Sequence, residues 1–169
     1  MSHPLVIALF QDASAAAGAA RALRTLGITR QRVSIVARSH DEEGAVADEA
    51  GASPGSEIED SRPASRLGEL AGHLAAAIAI VVPGVGPIVA DGPLSAALGE
   101  AAGHVAGDIS RALQRAGLAG YQADDWERRI KEGAFLVGAH ADKVSVESAR
   151  DALIRAGGAP VAVGTWSDT

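Results

Sequence analysis

The chain has 169 residues, enough for one domain or for one domain with an insertion, and 47% are hydrophobic although only five are Phe, Trp or Tyr. It contains no cysteine, which excludes disulfides, thiolate metal sites and cysteine nucleophiles. Its net charge of -6, without a basic face or an aromatic ladder, argues against nucleic acid as a partner.

The first part of the chain, residues 1–39, has the pattern of a β-α-β half. Leu5–Phe10 is an unbroken apolar run, which predicts a strand covered on both faces. Asp12 can cap the Ala-rich helix that follows, and Gly27 is placed to end it. Val33–Ala37 then reads as a second strand.

Residues 40–66 form an acidic segment. Eight acidic residues and no Lys or Arg lie between Asp41 and Asp60, whereas the rest of the chain has 15 basic and 13 acidic residues. The segment is also rich in Gly, Ser and Pro, so we expect a linker with little fixed structure and a nearly neutral folded remainder.

A block of small and apolar residues, 67–118, follows the linker. Two helices are expected, over 67–82 and 94–116, and the segment Pro83–Pro93 would join them into a hairpin. Small side chains recur at four-residue spacing, which puts each set on one helix face and allows another backbone to approach closely. The block is therefore expected to drive self-association through Gly68, Gly72, Ala76, Gly99, Gly103 and Gly107.

The last part of the chain, residues 119–169, repeats the β-α-β pattern after a short helix, Asp124–Glu132. Phe135–Ala139 and Val161–Trp166 read as strands on either side of a helix from about Ser145 to Ala156. A constant offset of 130 relates the halves, which suggests an internal repeat. It matches Asp12 with Asp142, Ala22 with Ala152, Leu23 with Leu153, Gly27 with Gly157 and Val33 with Val163.

Two such halves predict an α+β, ferredoxin-like fold, in which four strands form one antiparallel sheet with helices on one face. The more apolar first and third strands would be central, and the second and fourth would be edges. The apolar helical hairpin would be an insertion between the halves. An exchange of halves between two chains is the alternative.

The central block also approaches the length of a membrane span, because Leu74–Ala90 has 17 residues without a charge. Pro83 and Pro87 interrupt that stretch, and the partner helix carries the ionisable Glu100, so burial against protein is favoured. Peripheral contact with a membrane surface stays open as an alternative.

Carboxylates and imidazoles lie beside the small residues at helical spacing, which is how helical bundles hold metals. Because the Glu-x-x-His spacing of di-iron bundles is missing, a polar seam is favoured over a metal site for Glu69, His73, Glu100, His104 and Asp108.

Gly84-Val85-Gly86 is followed by Pro87 and lacks a third glycine, so it is not a dinucleotide loop. His140 and Asp142 have no evident nucleophile beside them. Neither a metal nor a cofactor is predicted.

The chain resembles the bacterial general stress protein (heat-induced stress protein) family with a Gly-rich hydrophobic insertion. The turn Pro83-Gly84-Val85-Gly86-Pro87, followed by Gly92-Pro93-Leu94, is the most specific part of that likeness. The resemblance implies a stress-linked role without a defined reaction, and it transfers no catalytic residues.

We therefore expect a non-enzymatic protein that assembles with copies of itself. The chain start, Met1–Ile7, has no basic region before an apolar core and no cleavage site, and predicts a cytoplasmic location. A membrane-associated protein and a small-ligand sensor that uses an open sheet face are the alternatives, the latter by fold analogy alone.

Overall fold

The computed structural model describes residues 1–38, 78–82, 86–102, 109–141 and 145–167. These residues form six strands, five α-helices and one short 3-10 helix. In chain order the elements are β1 (Ser2–Phe10), α1 (Ala13–Thr25), the 3-10 helix (Arg30–Arg32), β2 (Val33–Arg38), β3 (Ile78–Val82), β4 (Gly86–Asp91), α2 (Pro93–Ala102), α3 (Ile109–Arg115), α4 (Gly120–Lys131), β5 (Phe135–His140), α5 (Val146–Arg155) and β6 (Val161–Ser167).

The six strands form one sheet in the order β3-β4-β2-β5-β1-β6, and every neighbouring pair is antiparallel. The mixed α+β class with an antiparallel sheet is therefore confirmed, whereas the prediction of four strands is wrong. The two additional strands, β3 and β4, come from the central block. Because β4 pairs with β2, strand β2 is an inner strand rather than the edge strand that the sequence predicts.

Helices cover both faces of the sheet at its inner strands, as β1 shows. Leu5, Ile7 and Leu9 pack with α2, α3 and α4 on one face, and the alternate residues from Val6 to Phe10 pack with α1 and α5 on the other. All six side chains are 0% exposed, which confirms the prediction that this strand is covered on both faces. The expectation of helices on one face alone is wrong, because helices α2–α4 supply the second layer.

The α1/α5 face is formed by the two β-α-β halves, whose helices end in the same way. The N–H of Ile28 donates to the carbonyl of Leu23, and the N–H of Gly158 donates to the carbonyl of Leu153. Both leucines are fully buried in one cluster, where each contributes roughly 1.5–3 kcal/mol by leaving water. These equivalent contacts follow the offset of 130 found in the sequence.

The α2–α4 face is built around the larger side chains of α4. Trp126 and Ile130, one helical turn apart, are both buried there, as the sequence pattern indicates. Leu113 of α3 packs in the same cluster. The helix begins at Gly120, earlier than the predicted start at Asp124, and it ends before Gly133 as predicted.

The central block differs most from the expected helical hairpin. Residues 78–82 are strand β3 rather than the end of a helix, and strand β4 lies within the segment that was expected to be a connection. Ile80 pairs with Ile88 across this β3–β4 hairpin. A run rich in Ile and Val favours a strand because branched side chains fit a pleated sheet better than a helix.

The second predicted helix, 94–116, is helical where it is described, in α2 and α3, and residues 103–108 between them lie outside the described residues. The linker 40–66 and residues 67–77 lie outside them as well. Within the described part of the chain, no helix has both the length and the apolar character needed to cross a bilayer.

Candidate functional site

Most of the residues predicted to mediate association fall outside the described structure. Gly99 lies in α2, and Glu100 of the predicted polar seam follows it in the same helix. The described residues contain no group of three potential metal ligands. The small-residue stripe and the polar seam stay predictions, because these residues are not described: Gly68, Gly72, Ala76, Gly103 and Gly107 of the stripe, and Glu69, His73, His104 and Asp108 of the seam.

The described part of the central block is attached to the sheet at the turn between β4 and α2. Pro93 is the first residue of α2, a position where its missing N–H costs no helical hydrogen bond. Gly92 before it has a φ of +78°, and a Cβ there would lie 2.2 Å from the carbonyl oxygen of Val33. Only glycine therefore lets this turn lie directly against β2.

Ser34 of β2 receives the start of α2. Its Oγ accepts a hydrogen bond of 3.1 Å from the N–H of Leu94, one of the first-turn N–H groups that has no partner inside the helix. Ser34 is 0% exposed, so water cannot replace this bond. The serine thus acts as an N-cap for α2 although it belongs to a strand some sixty residues earlier in the chain.

The same hydroxyl begins a chain of polar contacts inside the α2–α4 layer. Ser34 Oγ lies 2.8 Å from Nε2 of His140, and Nδ1 of His140 lies 2.9 Å from Nε2 of His3. His140 is 1% exposed and His3 is half-buried. The Trp166 ring packs edge-on against His140 with centroids 5.7 Å apart. We call Ser34, His140 and His3 the polar anchor.

The hydrogens of the polar anchor can be assigned from its contacts. We assign the Ser34 hydroxyl as donor to Nε2 of His140, because its oxygen already accepts from Leu94. The His140 hydrogen then lies on Nδ1 and donates to Nε2 of His3. In this assignment each of the three contacts has one donor and one acceptor.

A serine bonded to a histidine that is oriented by a third group is also the arrangement of a nucleophile and its base. Here, however, Ser34 is fully buried and its oxygen is occupied by the helix N–H. A substrate cannot reach that oxygen without opening the α2–α4 layer. The geometry therefore assigns the polar anchor a structural role, which is to hold α2 and the β3–β4 hairpin against the sheet.

Sequence reasoning missed the polar anchor because its members are far apart in the chain and His3 stands near its start. Alternation along β1 could have revealed one member, because side chains two residues apart in a strand lie on the same face. His3 therefore shares the face of Leu5, Ile7 and Leu9. His140 and Ser34 lie on that face too, but this follows only from the register of β2 with β5. Pairing across the sheet, which composition does not reveal, brings them together.

The two edges of the sheet differ in how they are protected. At β6, the N–H of Thr165 donates to the carbonyl of Ala116 at 3.0 Å, beyond the end of α3. A Cβ on Gly164 would lie 1.8 Å from that carbonyl oxygen, so a glycine is required for the approach. At the other edge, β3 has no further strand beside it among the described residues.

A cleft of about 300 Å³ lies between the end of β1 and the end of α4. Arg128 donates to Asp125 and to Glu132, and Arg129 donates to Asp125. The hydrogen bond from Arg128, joined by that from Arg129, holds the pKa of Asp125 below its usual value. These charges compensate one another, so the cleft does not have the character of an anion site.

At the inner strands β1, β5 and β2 the described helices cover both faces, with α1 and α5 on one side and α2–α4 on the other, so no open face for a small ligand is found there. Comparison with known proteins finds no family model, no curated protein and no solved structure that matches the chain. The resemblance to the bacterial general stress protein family stays a prediction.

Proposed function

We propose that this protein is a non-enzymatic, cytoplasmic stress-response protein that assembles with copies of itself through its central block, residues 67–118. One observation carries the proposal. The block adds the β3–β4 hairpin to the sheet. The outer strand of that hairpin, β3 (Ile78–Val82), contains no charged residue. Among the described residues β3 has no neighbour on its outer side, and such an edge presents backbone N–H and C=O groups that another strand can satisfy.

The scaffold that carries this hairpin is, in our proposal, a ferredoxin-like unit. The strands of the two β-α-β halves lie in the order β6-β1-β5-β2 within the larger sheet, and their helices α1 and α5 pack on one face. That order agrees with the interleaving of two β-α-β units expected for the fold. The hairpin and helices α2–α4 are then additions at one edge and on the second face.

The non-enzymatic part of the proposal is supported by the polar anchor. Ser34 and His140 are 0% and 1% exposed, and the serine oxygen accepts a hydrogen bond from the start of α2.

The stress-linked and cytoplasmic parts of the proposal rest on the sequence pattern and on the family resemblance. They predict that the amount of the protein rises under stress, which quantitative immunoblotting of the source cells before and after heat exposure would measure.

Self-assembly is tested by the mass of the purified, detergent-free protein, measured by light scattering after size exclusion. A defined particle larger than one chain is expected. Gly103→Leu, which fills one position of the predicted small-residue stripe, is expected to reduce that mass if the stripe belongs to the interface. A monomer at every concentration up to about 100 µM would overturn the proposal.

Flotation with liposomes separates this proposal from peripheral membrane binding. The alternative has one observation in its favour, the uncharged stretch Leu74–Ala90. A hairpin that packs against protein leaves the chain at the bottom of the gradient. Protein that floats with vesicles but is monomeric without them would favour the membrane alternative instead.

A further inference from the structure

We infer that strand β3 pairs with strand β3 of a second copy of this chain, antiparallel and about a two-fold axis, so that two sheets join into one continuous sheet. This inference rests on the proposed function, because it names the partner and the contact through which the protein assembles. It makes the assembly a closed dimer.

The composition of β3 is the first argument. Four of its five residues are Ile or Val, and it contains no Lys, Pro or Gly. Edge strands that avoid pairing carry charges or prolines, or bend away through bulges, and β3 has none of these residues. Its side chains favour the extended conformation that pairing with another strand requires.

The opposite edge supplies the second argument. At β6 the chain protects itself, since the Ala116 carbonyl accepts from Thr165 and its backbone lies against Gly164. The β6 edge is thus occupied at Gly164 and Thr165 by the protein's own backbone. This contact hinders edge-to-edge pairing between β3 and β6 of different copies, which would continue into a fibre.

Symmetry and charge identify the second copy as the partner. An antiparallel pair of identical strands is self-complementary, since a two-fold axis places each strand in the same environment. Each copy has a net charge of -6, so a contact is least unfavourable where charge is absent, as it is along β3. An uncharged strand also offers no ion pair to a basic partner.

The test adds charge to β3 on either side of Ile80, the residue that pairs with the fully buried Ile88. Ala79 and Val81 pair in register with Val89 and Pro87. In strands paired symmetrically about Ile80, position 79 lies opposite position 81 of the second copy. The double variant Ala79→Lys/Val81→Lys therefore places like charges opposite each other and is expected to reduce the mass to that of one chain.

A matched control tests the same charge at the other sheet edge, and a mixture of variants tests whether two β3 strands face each other. Val163→Lys puts the same charge on β6, where the side chain is 51% exposed, and is expected to leave the dimer intact. Ala79→Glu/Val81→Glu is also expected to be monomeric. An equimolar mixture of the lysine and glutamate double variants is expected to regain the dimer mass, since opposite charges then face each other.

Each other outcome has a defined meaning. A wild-type monomer would overturn both the proposed function and this inference. A lysine double variant that keeps the wild-type mass, with native tryptophan fluorescence, would overturn the inference and leave self-assembly through another part of the block in place. A wild-type particle larger than a dimer, or a variant mixture that stays monomeric, would overturn the inference as well.

Discussion

Replacing Ser34 by alanine tests whether the polar anchor holds the central block to the sheet. The substitution removes one oxygen and changes the shape of the core little, but two polar groups each lose a hydrogen bond. These are the N–H of Leu94 at the start of α2 and Nε2 of His140. Because Ser34 is 0% exposed, bulk water does not reach the position of that oxygen.

The expected loss follows from those two groups. Removing a helix cap costs about 0.5–2 kcal/mol. Losing the hydrogen bond to a buried ring nitrogen costs about 0.5–1.5 kcal/mol. Ser34→Ala is therefore expected to lower the free energy of unfolding by about 1–3.5 kcal/mol, the sum of the two costs. This is large beside a typical total stability of about 5–15 kcal/mol.

Equilibrium unfolding in urea, followed by tryptophan fluorescence at one fixed protein concentration, measures the change. Trp166 lies against His140 and so reports on the polar anchor directly. The matched control is Ser95→Ala in the first turn of α2, whose hydroxyl donates to the Gly92 carbonyl. That carbonyl also accepts from the Ser95 N–H, so the control is expected to cost only about 0.5–1.5 kcal/mol.

With an m-value of about 2 kcal/mol/M, the expected loss corresponds to a urea midpoint lower by roughly 0.5–1.8 M. A Ser34→Ala midpoint equal to that of Ser95→Ala, at an unchanged m-value, would refute the reasoning. It would mean that the buried hydroxyl contributes no more than a half-buried one, and that the start of α2 is held by its apolar contacts alone.

Gly92→Ala is expected to cost more than Gly27→Ala in the same urea assay, although both glycines have a positive φ. Both substitutions introduce a backbone strain of about 1–2 kcal/mol. Only the methyl group at position 92 meets a carbonyl oxygen, and this clash adds about 1–3 kcal/mol. Equal urea midpoints for the two variants would contradict this. Arg128→Ala is expected to raise the pKa of Asp125 toward its ordinary value in an NMR titration of the carboxyl carbon, and an unchanged pKa would contradict the pairing. Because the folded-state pKa of Asp125 is the lower one, the stability from this pair is present above the unfolded-state pKa and is lost as the pH falls through the folded-state pKa.

The two β-α-β halves could be predicted from the sequence because local signals agree there. Asp12 caps α1 by accepting from the N–H of Ala15, the apolar run of β1 is covered on both sides, and Gly27 follows the helix end. Each of these signals depends on a few neighbouring residues. The pattern therefore places the elements of the halves within one residue of their observed bounds, except that β1 begins three residues earlier than predicted.

The central block could not be predicted in the same way, because its residues do not distinguish a helix from a strand. Small and branched apolar residues alternate without a polar face, so neither a period of 3.6 nor a period of 2 emerges. The Ile and Val content of β3 and β4 was the remaining signal, and it favours strands. The weight given to Gly68 and Gly72 at helical spacing led to the helical prediction over Ile78–Val82.

The second helical layer and the polar anchor depend on long-range pairing. An unbroken apolar β1 requires helices on both faces, but the sequence does not state which segment supplies the second set. Likewise, Ser34, His140 and His3 meet only because β2 and β1 both pair with β5. A contact between residues more than 100 positions apart has no counterpart in local composition.

The strand order also determines when the protein can complete its fold during synthesis. Both neighbours of β1, the strands β5 and β6, come from residues after 134. At a translation rate of about 5–20 residues per second, β1 leaves the ribosome roughly 6–25 seconds before its first neighbour is made. Throughout that interval its six core side chains have no sheet to join, so we expect nascent chains to bind a chaperone until β5 emerges.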